Sequence, residues 1–279
     1  MTSNHWNEIK RRTMLKAISG GAIAMTAPGF LLPAKADSGS SLLVALSYAP
    51  KYFNPNYTFD GAHHYVNPNI FNKLITYYGE GSIGADLASS WEVSEDGLTY
   101  TFKLRDGVLW SDGEKFSSKD VLWTVNSLVE EKGFASEVLN GLEEITAPDD
   151  TTVVMKLSDR NSSFLDLLAS DYSFVILPAH IYEGTDPRTN PANEKPIGTG
   201  PFVVTNFVAG DYIEMTANPN FFDGKPELEK LFFKFYPDTS AAVAEMRAGN
   251  VGYMTSTPSA SAMRQLESVD GITVGTRNT

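Results

Sequence analysis

The 279-residue chain has no cysteine, so neither a disulfide framework nor a thiolate metal site can contribute to its stability or chemistry. Packing alone must hold the fold, and a chain of this length can build the core for it. Cationic residues are scarce: 22 Lys and Arg stand against 34 Asp and Glu, a net charge of −12. A phosphate backbone needs a concentrated basic surface, so nucleic acid is excluded as a partner. Long apolar runs are missing too. The weakly apolar stretch 17–32 is broken by Gly20, Gly21 and Pro28, and no permanent membrane span of about 20 apolar residues is expected. There is no Gly-x-Ser-x-Gly elbow, no internal repeat and no low-complexity tract, and the first of these absences argues against a secreted esterase. With 42% hydrophobic and 20% charged residues, the composition is that of a soluble globular protein.

Residues 1–36 read as a targeting segment, to be set aside before the fold is considered. Lys10, Arg11, Arg12 and Lys16 make a basic start, 17–32 is apolar and rich in Gly and Ala, and Ala34 and Ala36 supply the small residues of a cleavage site. The paired arginines followed by Met14, Leu15 and Lys16 resemble a twin-arginine signal with Met where Phe is more usual. An ordinary secretory peptide is the alternative. Either way the export machinery is a partner, cleavage is expected near Ala36, and the mature chain is expected in the periplasm. The segment holds five cations and only Glu8 as an acid, so what remains is more acidic still.

Beyond a flexible start, 42–46 is a short apolar run that reads as a buried strand. It leads into 48–57, where three tyrosines, a phenylalanine and two prolines suggest a loop that lines something. Ile70, Phe71, Leu74 and Ile75 are spaced for one face of a helix over 69–78. Leu98, Tyr100, Phe102 and Leu104 alternate with polar residues, the period of a half-buried strand. Asp106-Gly107 reads as a hairpin turn returning through 108–110, because Gly tolerates the positive φ of the primed turns. Ser117 to Asp120 resembles a capping box with Asp in place of Glu, opening a helix. Its apolar stripe is Val121, Leu122, Val125, Leu128 and Val129, and Trp123 lies on the other side. Further strands are expected at 151–157, 202–204, 212–215 and 231–236, a buried run at 174–177 stopped by Pro178, a polar crossover at 187–196, and a helix at 239–248 ended by Gly249.

No catalytic constellation emerges. The four histidines are His5, His63, His64 and His180. His63 and His64 stand near Asp60, but adjacent residues on one loop rarely converge on one ion, so a solvated loop is the expected reading. His180 reads as a packed or capping residue. Gly198-Thr199-Gly200-Pro201 lacks the Lys-Ser or Lys-Thr of a phosphate loop, and proline removes a backbone donor, which leaves a tight turn. Carboxylates are plentiful, and nothing marks a glycosidase pair apart from a solvated acidic surface. No cofactor, metal or catalytic residue is assigned, and the chain is not expected to be an enzyme.

Several segments together resemble the family 5 extracellular solute-binding proteins, the oligopeptide, dipeptide and nickel-binding receptors of ABC importers. These are DGLTYTFKLRDGV (96–108), WSDG (110–113), FSSKDV (116–121), LPAHI (177–181), PIGTGPF (196–202), NPNFF (218–222) with GKP (224–226), and Pro237-Asp238 leading to Ala248-Gly249. The likeness runs over nearly all of 42–275. It implies an α/β (mixed α+β) fold: the first lobe of a type II periplasmic-binding-protein-like receptor, discontinuous over 37–80 and 190–279, with an inserted β-rich subdomain at 81–189. The implied function is capture of a peptide, nickel chelate, sugar or other small solute for delivery to an ABC permease complex in the inner membrane, with two lobes closing on the ligand. Carried over by position, the ligand contacts are Tyr48, Ala49 and Pro50 after the first strand, Trp123 two residues after Asp120-Val121, and Tyr253, Thr255 and Ser256 after helix 239–248. One departure stands out: the family usually has an acidic residue where this chain has Gly252.

Family members continue far beyond the position of Thr279 into a second lobe, so the resemblance also implies that this chain is truncated to about its first lobe. Half a cleft excludes water poorly and should bind weakly. Two alternatives remain open: a secreted hydrolase with an unrecognised carboxylate site, and one half of a split receptor whose second lobe is a separate chain.

Overall fold

The computed structural model describes residues 40–274 apart from 59–60, 79–80, 171–173 and 257. The expected export signal, with its cleavage position at Ala36, lies outside the described residues. The chain divides into two compact units. Unit 1 combines the residues up to Ser47 with those from Glu227 onward, and unit 2 is Tyr48–Pro226. In chain order the strands are β1 (Ser41–Leu46), β2 (Ile75–Tyr78), β3 (Ser82–Ala85), β4 (Ala88–Val93), β5 (Thr99–Leu104), β6 (Leu142–Asp149), β7 (Thr152–Leu157), β8 (Phe202–Val208), β9 (Tyr212–Ala217), β10 (Lys230–Phe235) and β11 (Tyr253–Met254). The helices are α1 (His63–Val66), α2 (Ser118–Glu131), α3 (Phe164–Ala169), α4 (Ala179–Tyr182), α5 (Thr239–Arg247) and α6 (Ala260–Glu267).

Unit 1 is built on parallel pairing. β1 runs parallel to β10, from Ser41 opposite Lys230 to Leu46 opposite Phe235, and parallel to β11 through Val44 and Ala45. Strands covered on both faces read as continuous apolar runs, which is why Leu43, Val44, Ala45 and Leu46 are all buried. Leu43, Ala45 and Phe232 form a core with Ala242 of α5 and Val251. Asp238 caps α5 by accepting from the Ser240 N–H at 2.8 Å, and Gly249 ends it at φ +78°, where a Cβ would be strained.

Unit 2 contains a four-stranded antiparallel sheet in the order β4-β5-β7-β6. Phe102 opposes Val153 and Tyr100 opposes Met155, so the buried sides of β5 and β7 share one face, on which cross-strand pairs stabilise the sheet. Helix α2 packs against β6 and β7, and its Val121, Val125 and Leu128 are each fully buried. Val129, expected on the same stripe, is 51% exposed instead. The capping box is complete: the Ser117 Oγ accepts from the Lys119 N–H at 3.3 Å while Asp120 accepts from the Ser117 N–H at 2.9 Å. β2 and β3 form a two-stranded ribbon, and β8 and β9 a hairpin.

Two expectations fail. Residues 69–78 are not a helix: α1 gives way to a 3-10 turn at Asn67–Asn69, and the chain is then extended into β2. Ile70, Phe71, Leu74 and Ile75 are all buried, but distant segments use their main chain. The Ile70 carbonyl accepts from Gly200 at 2.8 Å, that of Asn72 from Ile176 at 3.0 Å, and that of Leu74 from Ala88 at 2.8 Å. The other failure concerns β5. Its hairpin partner is β4, reached through Asp96-Gly97 with Gly97 at φ +71°, and its other edge is filled by β7. With both edges taken, 108–110 cannot pair with it. These residues instead turn back about Asp112-Gly113, with the Phe116 N–H bonded to Val108 at 3.0 Å and the Trp110 N–H to Glu114 at 2.8 Å.

The buried run 174–177 belongs to no strand, yet side chains of distant segments bond much of its backbone. Asn56 accepts from the Val175 N–H at 2.9 Å and donates to its carbonyl at 2.8 Å, and Thr124 accepts from the Leu177 N–H at 3.0 Å. The turn at 198–201 lies against the main chain of Ile70. A Cβ at Gly198 would stand 1.9 Å from the Ile70 oxygen, and one at Gly200 2.6 Å from its carbonyl carbon, so only glycine allows that approach.

Candidate functional site

In open α/β sheets, ligands gather outside the carboxyl ends of parallel strands. In unit 1 those ends coincide: Leu46 is level with Phe235, and Ala45 with Met254. Thr255, immediately after β11, is fastened there twice, its N–H and its hydroxyl both donating to the Ala45 carbonyl at 3.1 and 3.2 Å. Tyr253 is 46% exposed, and Ser256 is half-buried. Gly252 donates to the Leu43 carbonyl at 2.9 Å, and a Cβ there would meet the end of the Leu42 side chain at 2.5 Å.

In unit 2, Tyr48 is 70% exposed while Ala49 is half-buried and Pro50 buried. The aromatic loop that follows does not line an opening as a whole. Phe53 is fully buried and meets the Phe207 ring edge-on at 4.8 Å. Tyr57 is buried beneath Arg188, with its hydroxyl 2.6 Å from that of Ser127.

Trp123 is held on the side of α2 away from the apolar stripe. Its ring stacks on Tyr182, with centroids 5.6 Å apart and planes 28° from parallel. Tyr182 is in turn fixed by a hydrogen bond to Asn193 Oδ1 at 2.9 Å, which also accepts from Asn54 at 2.9 Å. Burial pushes the Tyr182 phenol well above its usual range, so it stays a neutral donor to Asn193. Trp123 keeps part of its surface exposed, and its orientation is set by an amide network that no periodicity in the sequence announces.

His63 and His180 are each held by the fold. His63 is buried in α1 with Nε2 3.0 Å from the Tyr52 carbonyl, so it is not the solvated loop residue expected; Asp60 lies outside the described residues. His180 Nε2 is 2.8 Å from Asp112 Oδ2, and its ring meets Trp110 edge-on. Among the described residues, no group of three His, Asp or Glu is placed to share a metal ion. Asp120 is buried and ties three segments together, accepting from Ser117, from the Ala179 N–H at 2.8 Å and from Trp110 Nε1 at 3.4 Å. Burial raises its carboxyl despite those bonds, as desolvation penalises the charged form.

The bacterial extracellular solute-binding proteins, family 5, match residues 82–279. A Brucella ovis protein assigned to peptide binding in an ABC transporter is 37% identical over 199 residues, 66% of this chain and 37% of that protein. The oligopeptide-binding protein AppA of Bacillus subtilis is 30% identical over 225 residues, 78% of this chain and 41% of AppA. Among solved structures, AppA in complex with a nonapeptide superposes with a TM-score of 0.77 at 28% identity, covering 82% of this chain and 46% of the other. Campylobacter jejuni NikZ in complex with Ni(L-His) gives a TM-score of 0.70 at 32% identity over 76% of this chain and 42% of NikZ. The matched part of the chain thus covers less than half the length of these relatives.

Proposed function

The chain belongs to the bacterial extracellular solute-binding proteins of family 5, and on that premise we propose that it serves in the solute-capturing component of an ABC importer. It takes up a peptide or similar small solute outside the cytoplasmic membrane for delivery to the permease complex, having been exported by the segment 1–36, a twin-arginine-like signal cleaved near Ala36. The division into a lobe core (37–80 and 190–279) and an inserted subdomain (81–189) is part of the same proposal. The relatives are solute-binding proteins, and no catalytic step is assigned.

The observation that supports the reading is that Thr255 and Ser256 directly follow β11, of which Tyr253 is the exposed first residue, with Thr255 bonded to Ala45 of β1, and that open α/β sheets bind ligands at the carboxyl ends of their strands. Tyr48, Ala49 and Pro50 follow the end of β1 in the sequence. Trp123 is the third proposed contact region, an aromatic face kept off its own helix's core side. Peptide-binding proteins can hold a ligand's main chain as an added strand, which suits tolerant side-chain recognition. Contacts from any one of these regions leave a ligand partly hydrated, so binding through them is expected to be weak, with Kd above about 0.1 mM.

Saturation-transfer NMR with a mixture of short peptides tests this. Transfer to at least one peptide is expected, and Trp123→Ala should weaken it by about tenfold or more, the usual size for an aromatic contact. Absence of transfer at 10-millimolar-scale peptide concentration, or transfer unchanged in Trp123→Ala and in Tyr253→Ala, would overturn the assignment.

A further inference from the structure

Unit 2 holds a cavity of about 260 Å³ lined by none of the residues proposed above as ligand contacts. Its wall carries both signs of charge, from Arg105 and Lys73 and from Asp86 and Asp223. Arg105 is fixed at one point only: its Nε donates to the Asp86 carbonyl at 2.6 Å, and its guanidinium carbon stands 5.1 Å over the Phe222 ring. Its terminal nitrogens hydrogen-bond to no described residue. Guanidinium groups left in that state have the planar fork that matches a carboxylate.

Asp86 is 8% exposed and rigidly held, with Oδ1 accepting from Asn72 Nδ2 at 2.7 Å and Oδ2 from the Lys73 N–H at 2.8 Å. Asn72 is locked in turn by the Thr199 hydroxyl at 2.9 Å. Asp223 is exposed, and the Tyr78 phenol is raised first by partial burial and then by the carboxylates of Asp86 and Asp223, with Arg105 opposing them. Asn67, also in the wall, is 4% exposed, and neither its amide nitrogen nor its oxygen has a hydrogen-bond partner. Buried polar groups without partners are rare in a finished fold and point to something that completes them.

We propose that this cavity binds a small zwitterion of the free amino acid class, its carboxylate paired with the terminal nitrogens of Arg105 and its ammonium facing Asp86 and Asp223. A simple anion would meet two carboxylates, and a simple cation would leave the guanidinium fork unused; a molecule carrying both charges a few bonds apart answers both. The volume equals roughly eight or nine waters at about 30 Å³ each, room for a small amino acid but not for an extended peptide. The Phe222 ring beneath Arg105 and the buried Phe71 and Phe174 lower the local dielectric and strengthen both ion pairs.

The test is calorimetric titration of the purified chain with glycine, L-alanine and L-serine, and separately with sodium acetate and methylammonium chloride. At least one amino acid is expected to bind with Kd below about 1 mM, with acetate and methylammonium each at least about tenfold weaker. Arg105→Gln should weaken amino acid binding by about tenfold or more, with folding checked by circular dichroism. Should Arg105→Gln not fold, Asp223→Asn at the exposed side is expected to give about a fivefold loss. No heat with any amino acid, acetate binding as tightly as the amino acids, or unchanged affinity in the folded variant would each overturn the assignment.

Discussion

Replacing Asp120 by alanine should destabilise the protein far more than loss of a helix cap. An N-cap interaction is worth about 1 kcal/mol, and Ser117→Ala should cost that much. Asp120 does more, because one buried carboxylate accepts from Ser117 at the start of α2 and from Ala179 at the start of α4. Alanine would strand both main-chain donors, at about 1–3 kcal/mol each, while the 3.4 Å contact with Trp110 adds little. Against this, burial raises the carboxyl, so removing the charge recovers part of the loss. The net expectation is about 3 kcal/mol, or roughly 6–12 °C in Tm for a unit of this size. Asp120→Asn keeps one acceptor oxygen for the two backbone donors and should cost about half as much. Guanidinium unfolding followed by circular dichroism measures all three variants. If Asp120→Ala cost no more than Ser117→Ala, the carboxylate would be an ordinary cap, and its tie to Ala179 would contribute nothing.

Other consequences can be measured in the same way. Asp86 is raised by burial from 3.8 to about 6, so the folded chain holds a proton that the unfolded chain has already released. Its contribution to stability is therefore fully present below pH 4 and lost as pH rises through 6, by up to about 3 kcal/mol. The difference in stability between wild type and Asp86→Asn should change across that window, and a pH-independent difference would refute it. Gly200→Ala drives a Cβ onto the Ile70 carbonyl and should cost about 2 kcal/mol or more in denaturant unfolding; a loss under about 0.5 kcal/mol would mean that the turn yields. On α2, exposed Val129 should accept glutamate within about 0.5 kcal/mol, whereas buried Val125→Ala should cost well over 1 kcal/mol, and equal effects would contradict the helix's orientation.

Much of the fold was legible because local chemistry and tertiary packing agree. The alternation of Tyr100, Phe102 and Leu104, the run 42–46 and the Ser117–Asp120 box each ask for the structure they have. Pairing was less legible: Asp96-Gly97 and Asp106-Gly107 both place glycine at positive φ, and only long-range occupancy of both edges of β5 decides which turn closes a hairpin. At 69–78 an apolar spacing typical of a helix belongs to an extended chain, whose carbonyls bond Gly200, Ile176 and Ala88 from far along the sequence. The proposed ligand contacts came from family resemblance, with the setting of Trp123 depending on Tyr182, Asn193 and Asn54. The charged cavity gave no signal, since Asn67, Asp86 and Arg105 lie far apart in sequence and each looks like an ordinary polar residue.

The central proposal is that this chain meets a solute through the residues following β1, through Tyr253 of β11 and the residues just after it, or through Trp123. Photo-cross-linking with a short peptide bearing a benzophenone, followed by mass spectrometry of the adducts, tests it most directly and captures weak complexes. The account predicts adducts within 48–50, at 123 or within 253–256, competed away by unlabelled peptide. Adducts confined to other surfaces, or none that excess peptide suppresses, would contradict it.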